Sequence, residues 1–335
     1  MTTAFVTGSA GFIGFHLATR LLDDGWTVVG LDALTPRYDV SLKQARLDQL
    51  LGREGYIHVD GRLEAPGLVA EAVSAHAPDI IVHLAAEAGV RQSIEDPRSY
   101  LEANIIGTFE LLEAAGATPP RHMLLASTSS AYGANRERPY AETMKADWPV
   151  SFYAATKKST EILAHSHAHL YNLPITMFRF FTVYGPWGRP DMAYFLFAKA
   201  ILDGEPIKVF NHGKMERDFV FIDDLVEAIT RLFDAAPERP SGEVPEGDSL
   251  SPVAPFRVVN IGKSDPDTLI EFIEAIEAAL GKTAVKTMME MQQGDVVATW
   301  ADAQLLKRLT GYMPSTPLRH GIPKFVDWYL KHRSA

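Results

Sequence analysis

Thr7-Gly8-Ser9-Ala10-Gly11-Phe12-Ile13-Gly14 follows an apolar run, Ala4 to Thr7, and opens an amphipathic segment, Phe12 to Asp24. A strand, a glycine turn and a helix in that order are the beginning of an α/β fold. Gly8 permits a tight turn, Gly11 lets backbone approach a pyrophosphate at the positive end of the helix, and Gly14 allows close packing on the sheet. The spacing is Gly-x-x-Gly-x-x-Gly rather than the commoner Gly-x-Gly-x-x-Gly, so its context carries the reading. A second run, Thr27 to Asp32, ends in an acid placed to accept hydrogen bonds from an adenine-ribose diol. The charge of Asp32 repels a 2′-phosphate, which favours NAD over NADP.

Further strand-like runs, Tyr56 to Val59, Ile80 to Leu84, Arg121 to Ala126 and Ile175 to Phe180, alternate with helical patterns at Leu68 to His76, Tyr100 to Ala115 and Phe152 to Tyr171. The alternation predicts an α/β chain with a Rossmann-type doubly wound parallel sheet, covered on both faces. Between the second and third strands, Pro36-Arg37-Tyr38-Asp39 leads into a helix expected to be exposed through Lys43 and Arg46. Beyond residue 180 the pattern changes. The stretch Phe180 to Pro190 is aromatic and rich in glycine and proline, as a binding loop is, and shorter elements follow it. Residues 1–180 are expected to form the dinucleotide-binding domain, and 181–335 a smaller C-terminal α/β substrate-binding domain whose segments interleave with the first. Ala235 to Pro255, dense in proline, glycine and acid, reads as a mobile surface excursion.

The chain of 335 residues is 47% apolar, enough for a sizeable core. Its net charge of -10 argues against nucleic-acid and membrane-surface partners, so any phosphate ligand must be met by local arginines and backbone N–H groups. With no cysteine, disulfides, thiolate chemistry and cysteine-ligated metals are excluded. The first residues lack a basic stretch and no apolar run is long enough to span a bilayer, so a cytoplasmic location is expected.

Chemistry concentrates in two places. In Ser151-Phe152-Tyr153-Ala154-Ala155-Thr156-Lys157, a tyrosine and a lysine four residues apart share one helix face. A free phenol has a pKa of about 10. An ammonium one turn away favours the phenolate, so Tyr153 can take a proton from a substrate hydroxyl and return it. The second place is Ser127-Thr128-Ser129-Ser130, four hydroxyls at a strand's carboxyl end, read either as a serine-threonine turn or as a cradle for a polar substrate. The small residues of His83-Leu84-Ala85-Ala86-Glu87-Ala88 suit a flat cofactor lying against backbone. Arg91 is placed either to meet a phosphate or carboxylate or to be a solvated surface arginine. Glu161, His165 and His169 share a helical stripe, readable as zinc ligands or, more simply, as a helix-packing or subunit face.

Taken together, Thr7-Gly8-x-x-Gly11-x-x-Gly14, Asp32, His83-Leu84-Ala85-Ala86, Asn104, Thr128, Tyr153-x-x-x-Lys157 and Arg217-Asp218-Phe219 resemble the extended short-chain dehydrogenase/reductase family, and within it the nucleotide-sugar 4-epimerases. Narrower stretches, among them Tyr38 to Lys43, Ala88 to Arg91, Phe180 to Met192 and Gln293 to Val296, resemble its UDP-glucuronate branch. The resemblance implies that tightly bound NAD is held by Gly8, Gly11, Phe12, Ile13, Gly14, Asp32, Lys43, Leu84, Ala85, Ala86 and Asn104, with Tyr153 and Lys157. It implies that Thr128 assists Tyr153 at the sugar. It also implies that Arg91, Ser129, Ser130, Thr182, Arg189, Lys199, Val209, Arg217 and Asp295 surround a UDP-sugar, without a metal and in a homodimer. A 4-keto uronate is a β-keto acid that loses CO2 readily, and Thr128, Ser129, Ser130 and Thr182 are expected to grip its carboxylate. Ser129-Ser130 stands where the dehydratase branch carries an Asp-Glu pair. Ala33, Arg62, Glu87 and Gln293 depart from the usual pattern, Arg62 at a position where the family's aspartate meets adenine. The competing activities are decarboxylation of UDP-glucuronate and 4-epimerisation of a neutral UDP-hexose.

Overall fold

The computed structural model describes residues 2–291 and 297–334. Seven strands, β1 (Thr3–Thr7), β2 (Thr27–Asp32), β3 (Tyr56–Asp60), β4 (Ile80–His83), β5 (His122–Ala126), β6 (Ile175–Phe180) and β7 (Phe256–Ile261), form one parallel sheet in the order β7-β6-β5-β4-β1-β2-β3. Alternate strand residues enter two apolar clusters, one on each face. Ala4, Val6, Val28, Val82 and Leu124 enter one cluster, and Phe5, Val29, Ile81, Met123 and Leu125 the other. That division explains why the strands read as unbroken apolar runs. The order reverses between β1 and β4, and in such sheets the crevice outside the carboxyl ends at that point is where ligands bind.

The remaining elements build a second lobe over those ends. Thr182–Tyr184 pairs with Phe219–Phe221, Ile207–Val209 with Lys286–Met288, and Glu216–Arg217 lies between Asp267–Thr268 and Ala298–Thr299. Helices Ala193–Asp203, Leu269–Leu280 and Leu318–Ser334 cover these short pairs, the second of them starting from a Thr268/Glu271 capping box. The lobes interleave. After residue 181 the chain returns twice, with helix Ile222–Leu232 packing on helix Phe12–Asp23 and β7 completing the first sheet.

Three sequence expectations change. The helix expected over Tyr100 to Ala115 is a short helix Pro97–Tyr100, a wide π-turn Leu101–Ile106 and an α-helix Gly107–Ala117. Helix Val40–Leu51 is not exposed at Lys43 and Arg46. Both are buried: the 185–192 turn and the glycine loop close over Arg46, and the Lys43 ammonium is turned onto Thr35 and the Tyr38 ring. Within the stretch read as a mobile excursion, 235–255, side chains tie the chain down. Arg239 donates to His169 O and Val253 O, Arg257 pairs with Asp248, and Ser249 bonds both backbone groups of Val258. The last contact covers the open edge of β7, where unpaired backbone would otherwise face solvent.

The 133–151 loop that follows β5 is fastened to β7 through Asn260. Its N–H donates to Glu142 Oε1 at 2.7 Å, its Nδ2 donates to Tyr140 O, and Tyr132 donates its hydroxyl to Oδ1. Burial pushes the Glu142 carboxyl up to about 7, the Asn260 N–H opposing and Asp302 reinforcing the shift, against an ordinary value of 4.5. An acid whose folded value is raised contributes fully below its unfolded value and loses that contribution as pH climbs through the folded one. Glu142→Gln is therefore expected to gain stability relative to the native protein between pH 5 and pH 8, by on the order of 2 kcal/mol. Denaturant unfolding at several pH values tests this, and a difference that does not vary with pH contradicts it.

Candidate functional site

A cleft of about 730 Å3 opens at the carboxyl ends of β1, β2, β4, β5 and β6 and runs beneath the second lobe. At one end lies the glycine loop. Gly8 sits at φ +72°, and a Cβ there falls 2.8 Å from Ala85 N; a Cβ on Gly14 collides with the Gly8 carbonyl. Both glycines are therefore required by close approach of backbone. Helix Phe12–Asp23 begins at Gly11 with no side-chain cap, leaving the N–H groups of its first turn to a ligand. Asp32 is oriented by Ala10 N–H (2.9 Å) and Leu34 N–H (2.8 Å) and lines the cleft. Lys43 donates to Thr35 O and Oγ1 and lies over the Tyr38 ring. Phe12, Ile13, Leu84, Ala85 and Ala86 also line this part. A glycine cradle, an open helix end and a carboxylate fit a dinucleotide without a 2′-phosphate.

Under the floor runs a chain of hydrogen bonds whose direction can be deduced. Thr108 donates its hydroxyl to Asn104 O (2.6 Å), so it must accept from His83 Nε2–H (3.0 Å). His83 Nδ1 then accepts from the Thr7 hydroxyl (2.8 Å), which itself accepts Leu84 N–H and Ala85 N–H. Burial and the Lys157 charge push His83 down to about 3, in keeping with a neutral ring. Asn104 lies outside the cleft lining, and its side chain is committed to the protein: Oδ1 accepts Glu87 N–H, and Nδ2 donates to Glu87 O and Thr156 Oγ1. It clamps the loop after β4 to the helix that carries Tyr153.

That helix, Phe152–Tyr171, starts where Ser151 Oγ accepts Ala154 N–H and ends at Asn172 in the left-handed conformation. Tyr153 and Lys157 both face the cleft, with Thr128, Ser129 and Ser130 opposite. Thr128 stands with Tyr153 in the cleft lining, its hydroxyl close enough to act on the phenol. Burial holds the phenol above its ordinary value, opposed by that hydroxyl and by the charge of Arg189. Arg189, and not the Lys157 expected from the sequence, is the cation that acts on the phenol in the protein alone, and desolvation outweighs it; Lys157 itself is lowered by burial to about 8, with Glu161 opposing. Tyr100, which the sequence reading overlooked, meets the Tyr153 ring edge-on at 6.2 Å. Glu87 is neutralised by Arg37, whose Nε donates to it at 2.5 Å while the guanidinium lies 5.4 Å from the Tyr100 ring centre.

The stripe Glu161, His165 and His169 is a packing face. Arg179 donates twice to Glu161 (2.8 and 2.6 Å) and Ser127 once (2.6 Å), while His165 bonds Ser251 and His169 bonds Val253 O. Burial pushes Glu161 up, but Arg179, Lys158 and Ser127 together hold it down at about 2. Among the described residues no cluster suits a metal ion.

At the far end, Arg91, Thr182, Arg189 and Arg217 line the cleft. Arg189 is held by Asp191 and reaches Ala88 O at 3.3 Å. Arg91 lies over the Phe210 ring, and Arg217 donates to Glu216 O and Val297 O. Lys199 is exposed on its helix and Val209 is enclosed, and neither lines the cleft. Lys208 and Phe210 do. Strand alternation places Lys208 opposite the buried Ile207 and Val209, a signal the sequence reading could have used. Asp295 and Gln293 fall outside the described residues.

The cleft therefore combines a dinucleotide cradle, a phenol, a lysine and a threonine hydroxyl on its wall, and a second end with three arginines and a lysine. Residues 4–245 match the model of the NAD dependent epimerase/dehydratase family. The chain is 52% identical, over 97% of its length and 96% of the relative's, to the probable UDP-glucuronate 4-epimerase of Rhizobium meliloti (strain 1021). It is 43% identical, over 99% of its length and 76% of the relative's, to UDP-glucuronate 4-epimerase 4 of Arabidopsis thaliana. It superposes with a TM-score of 0.87 and 30% identity, over 99% of this chain and 100% of the other, on the UDP-glucuronic acid 4-epimerase of Bacillus cereus in complex with UDP-glucuronic acid and NAD. On both the arrangement of its cleft and these matches, the chain belongs to the NAD dependent epimerase/dehydratase family.

Proposed function

We propose that this chain is an NAD-dependent UDP-glucuronate 4-epimerase, interconverting UDP-glucuronate and UDP-galacturonate. The observation that carries the reading is that Tyr153, Lys157 and Thr128 line one cleft, between the glycine loop and Arg217. Bound NAD+ supplies the hydride acceptor at C4 and returns the same hydride to the opposite face of the sugar. Tyr153, as phenolate, takes the 4-hydroxyl proton as C4 is oxidised and donates it back after the ring has turned over. Thr128 shares the bond to O4, and Lys157 and Arg189 favour the phenolate by their charge. Arg217, Lys208 and Arg91 supply positive charge for the nucleotide phosphates, which anchor the molecule while the sugar rotates.

Epimerisation requires that the keto acid keep its carboxylate. Carbon dioxide leaves when the C5–C6 bond aligns with the carbonyl π system, so the carboxylate must be held out of that alignment. Thr128, Ser129, Ser130 and Thr182 are the donors for this role, since hydrogen bonds to a charged acceptor are the stronger ones. No acid pair stands there to catalyse dehydration. A homodimer belongs to the same reading, supported by the exposed Leu101, Ile106, Phe109, Phe152 and Ile162 on the packed segments Leu101–Ala117 and Phe152–Tyr171.

Three experiments test the reading. Incubation of purified protein with UDP-glucuronate, without added NAD, is expected to yield UDP-galacturonate, and Tyr153→Phe to lose at least about 100-fold in kcat; UDP-xylose with CO2 as the main product contradicts it. The double variant Ser129→Ala/Ser130→Ala is expected to release more CO2 per turnover and bind UDP-glucuronate more weakly. Unchanged partition and affinity remove the carboxylate grip. Phe109→Glu with Ile162→Glu is expected to convert a dimer to a monomer in sedimentation, and a native chain that is already monomeric rules the dimer out.

A further inference from the structure

Helix Val40–Leu51 carries an arginine that the reaction as described does not use. Arg46 is fully enclosed, and no ion pair involves it among the described residues. Its Nη1 donates to Ala10 O at 3.1 Å and to the Tyr38 hydroxyl at 2.8 Å, its Nη2 donates to Trp187 O at 2.5 Å and Gly188 O at 3.3 Å, and its Nε has no partner. A buried cation without a counter-charge and with an orphaned donor costs stability. Such a group calls for a reason beyond folding.

The reason lies in what it joins. Ala10 is inside the glycine loop, with its own N–H committed to Asp32. Trp187 and Gly188 form the turn that leads into Arg189. A second tether reaches the same turn, from His16 Nε2 to Pro186 O at 2.9 Å; burial pushes His16 down to about 4, so a neutral ring makes this bond. Three successive carbonyls, of residues 186, 187 and 188, are thus held from the cofactor side. Trp187 stands at φ +58°, strained for a bulky residue, with its ring against Phe15 and Trp328. Such a conformation persists only where the surroundings over-determine it. Two residues after Trp187 the chain delivers Arg189, which lines the cleft and whose charge acts on Tyr153.

We propose that Arg46 is a positioning residue for the epimerisation: through the Trp187–Gly188 turn it sets where Arg189 stands relative to Tyr153, keeping the glycine loop and the substrate-side arginine in one register. The inference rests on the function proposed above. Arg46 does not line the cleft, so it acts on the reaction only through the turn.

Arg46→Lys keeps the charge but cannot span the carbonyls of Ala10 and of Trp187–Gly188 together. The variant is expected to retain its NAD, measured per chain after denaturation, while kcat falls roughly 10- to 100-fold. Its KM for UDP-glucuronate should change less than kcat. The acid limb of its kcat profile is expected to move to higher pH, because Arg189 no longer favours the phenolate. In an Arg189→Ala background the same substitution should cost little more. A folded, NAD-loaded Arg46→Lys with native kcat and acid limb overturns the proposal, and so does an equal loss in both backgrounds. If Arg46→Lys does not fold, His16→Ala is expected to give a weaker form of the same signature, and a native profile there overturns the proposal. A native protein that leaves UDP-glucuronate unchanged overturns the proposed function and this inference with it, whereas an active one with an indifferent Arg46 overturns this inference alone.

Discussion

A phenol that must shed its proton is buried where burial opposes the loss. Tyr153 lies beneath the second lobe, and desolvation lifts its pKa above that of a free tyrosine. Against this the chain sets one hydroxyl, on Thr128, and the charge of Arg189, with the Lys157 ammonium one helical turn away. Burial also weakens Lys157 as a permanent cation by bringing it to about 8. The balance leaves the phenol above its ordinary value in the protein alone. An oxidised nicotinamide bound in the same cleft would add positive charge and favour the phenolate.

The platform that holds this balance consists of polar groups buried in matched sets. Glu161 accepts from Arg179, Ser127 and Lys158, fixing the end of β5, and with it Thr128, to the helix of Tyr153. Asn104 joins the loop after β4 to the same helix, and Thr7, His83 and Thr108 hold β1 to β4 beneath the glycine loop. Removing one member of such a set strands the others, and a broken buried ion pair typically costs about 3–5 kcal/mol. The second lobe joins these strand ends through one continuous apolar cluster and through polar tethers, of which those of Arg46 and His16 to the 186–188 turn are examples.

Much of this was legible in the residues. The glycine loop, the alternation of strands and helices, and the Tyr153–Lys157 spacing are local patterns, and local patterns survive reading in one dimension. What escaped was set by contacts across the fold. Arg46 looks like a surface arginine on a polar helix until the turn at Trp187 is seen to close over it. Asn104 was assigned to the cofactor, yet its amide is spent on Glu87 and Thr156, positions that only the folded chain brings near. Glu87, unexpected in its family, is explained by Arg37, fifty residues upstream. Between residues 235 and 255, composition pointed to mobility, while the pairs Arg239–His169 and Asp248–Arg257 fasten the stretch.

In the proposed reaction one hydride leaves C4 and comes back to it without exchange with solvent, while Tyr153 handles the hydroxyl proton. UDP-glucuronate labelled with deuterium at C4, incubated to equilibrium with the purified protein in ordinary water, tests this directly. Full retention of the label at C4 of the UDP-galacturonate formed is the predicted result. Loss of the label to water, its transfer to another carbon, or a product whose C4 configuration has not changed contradicts the account.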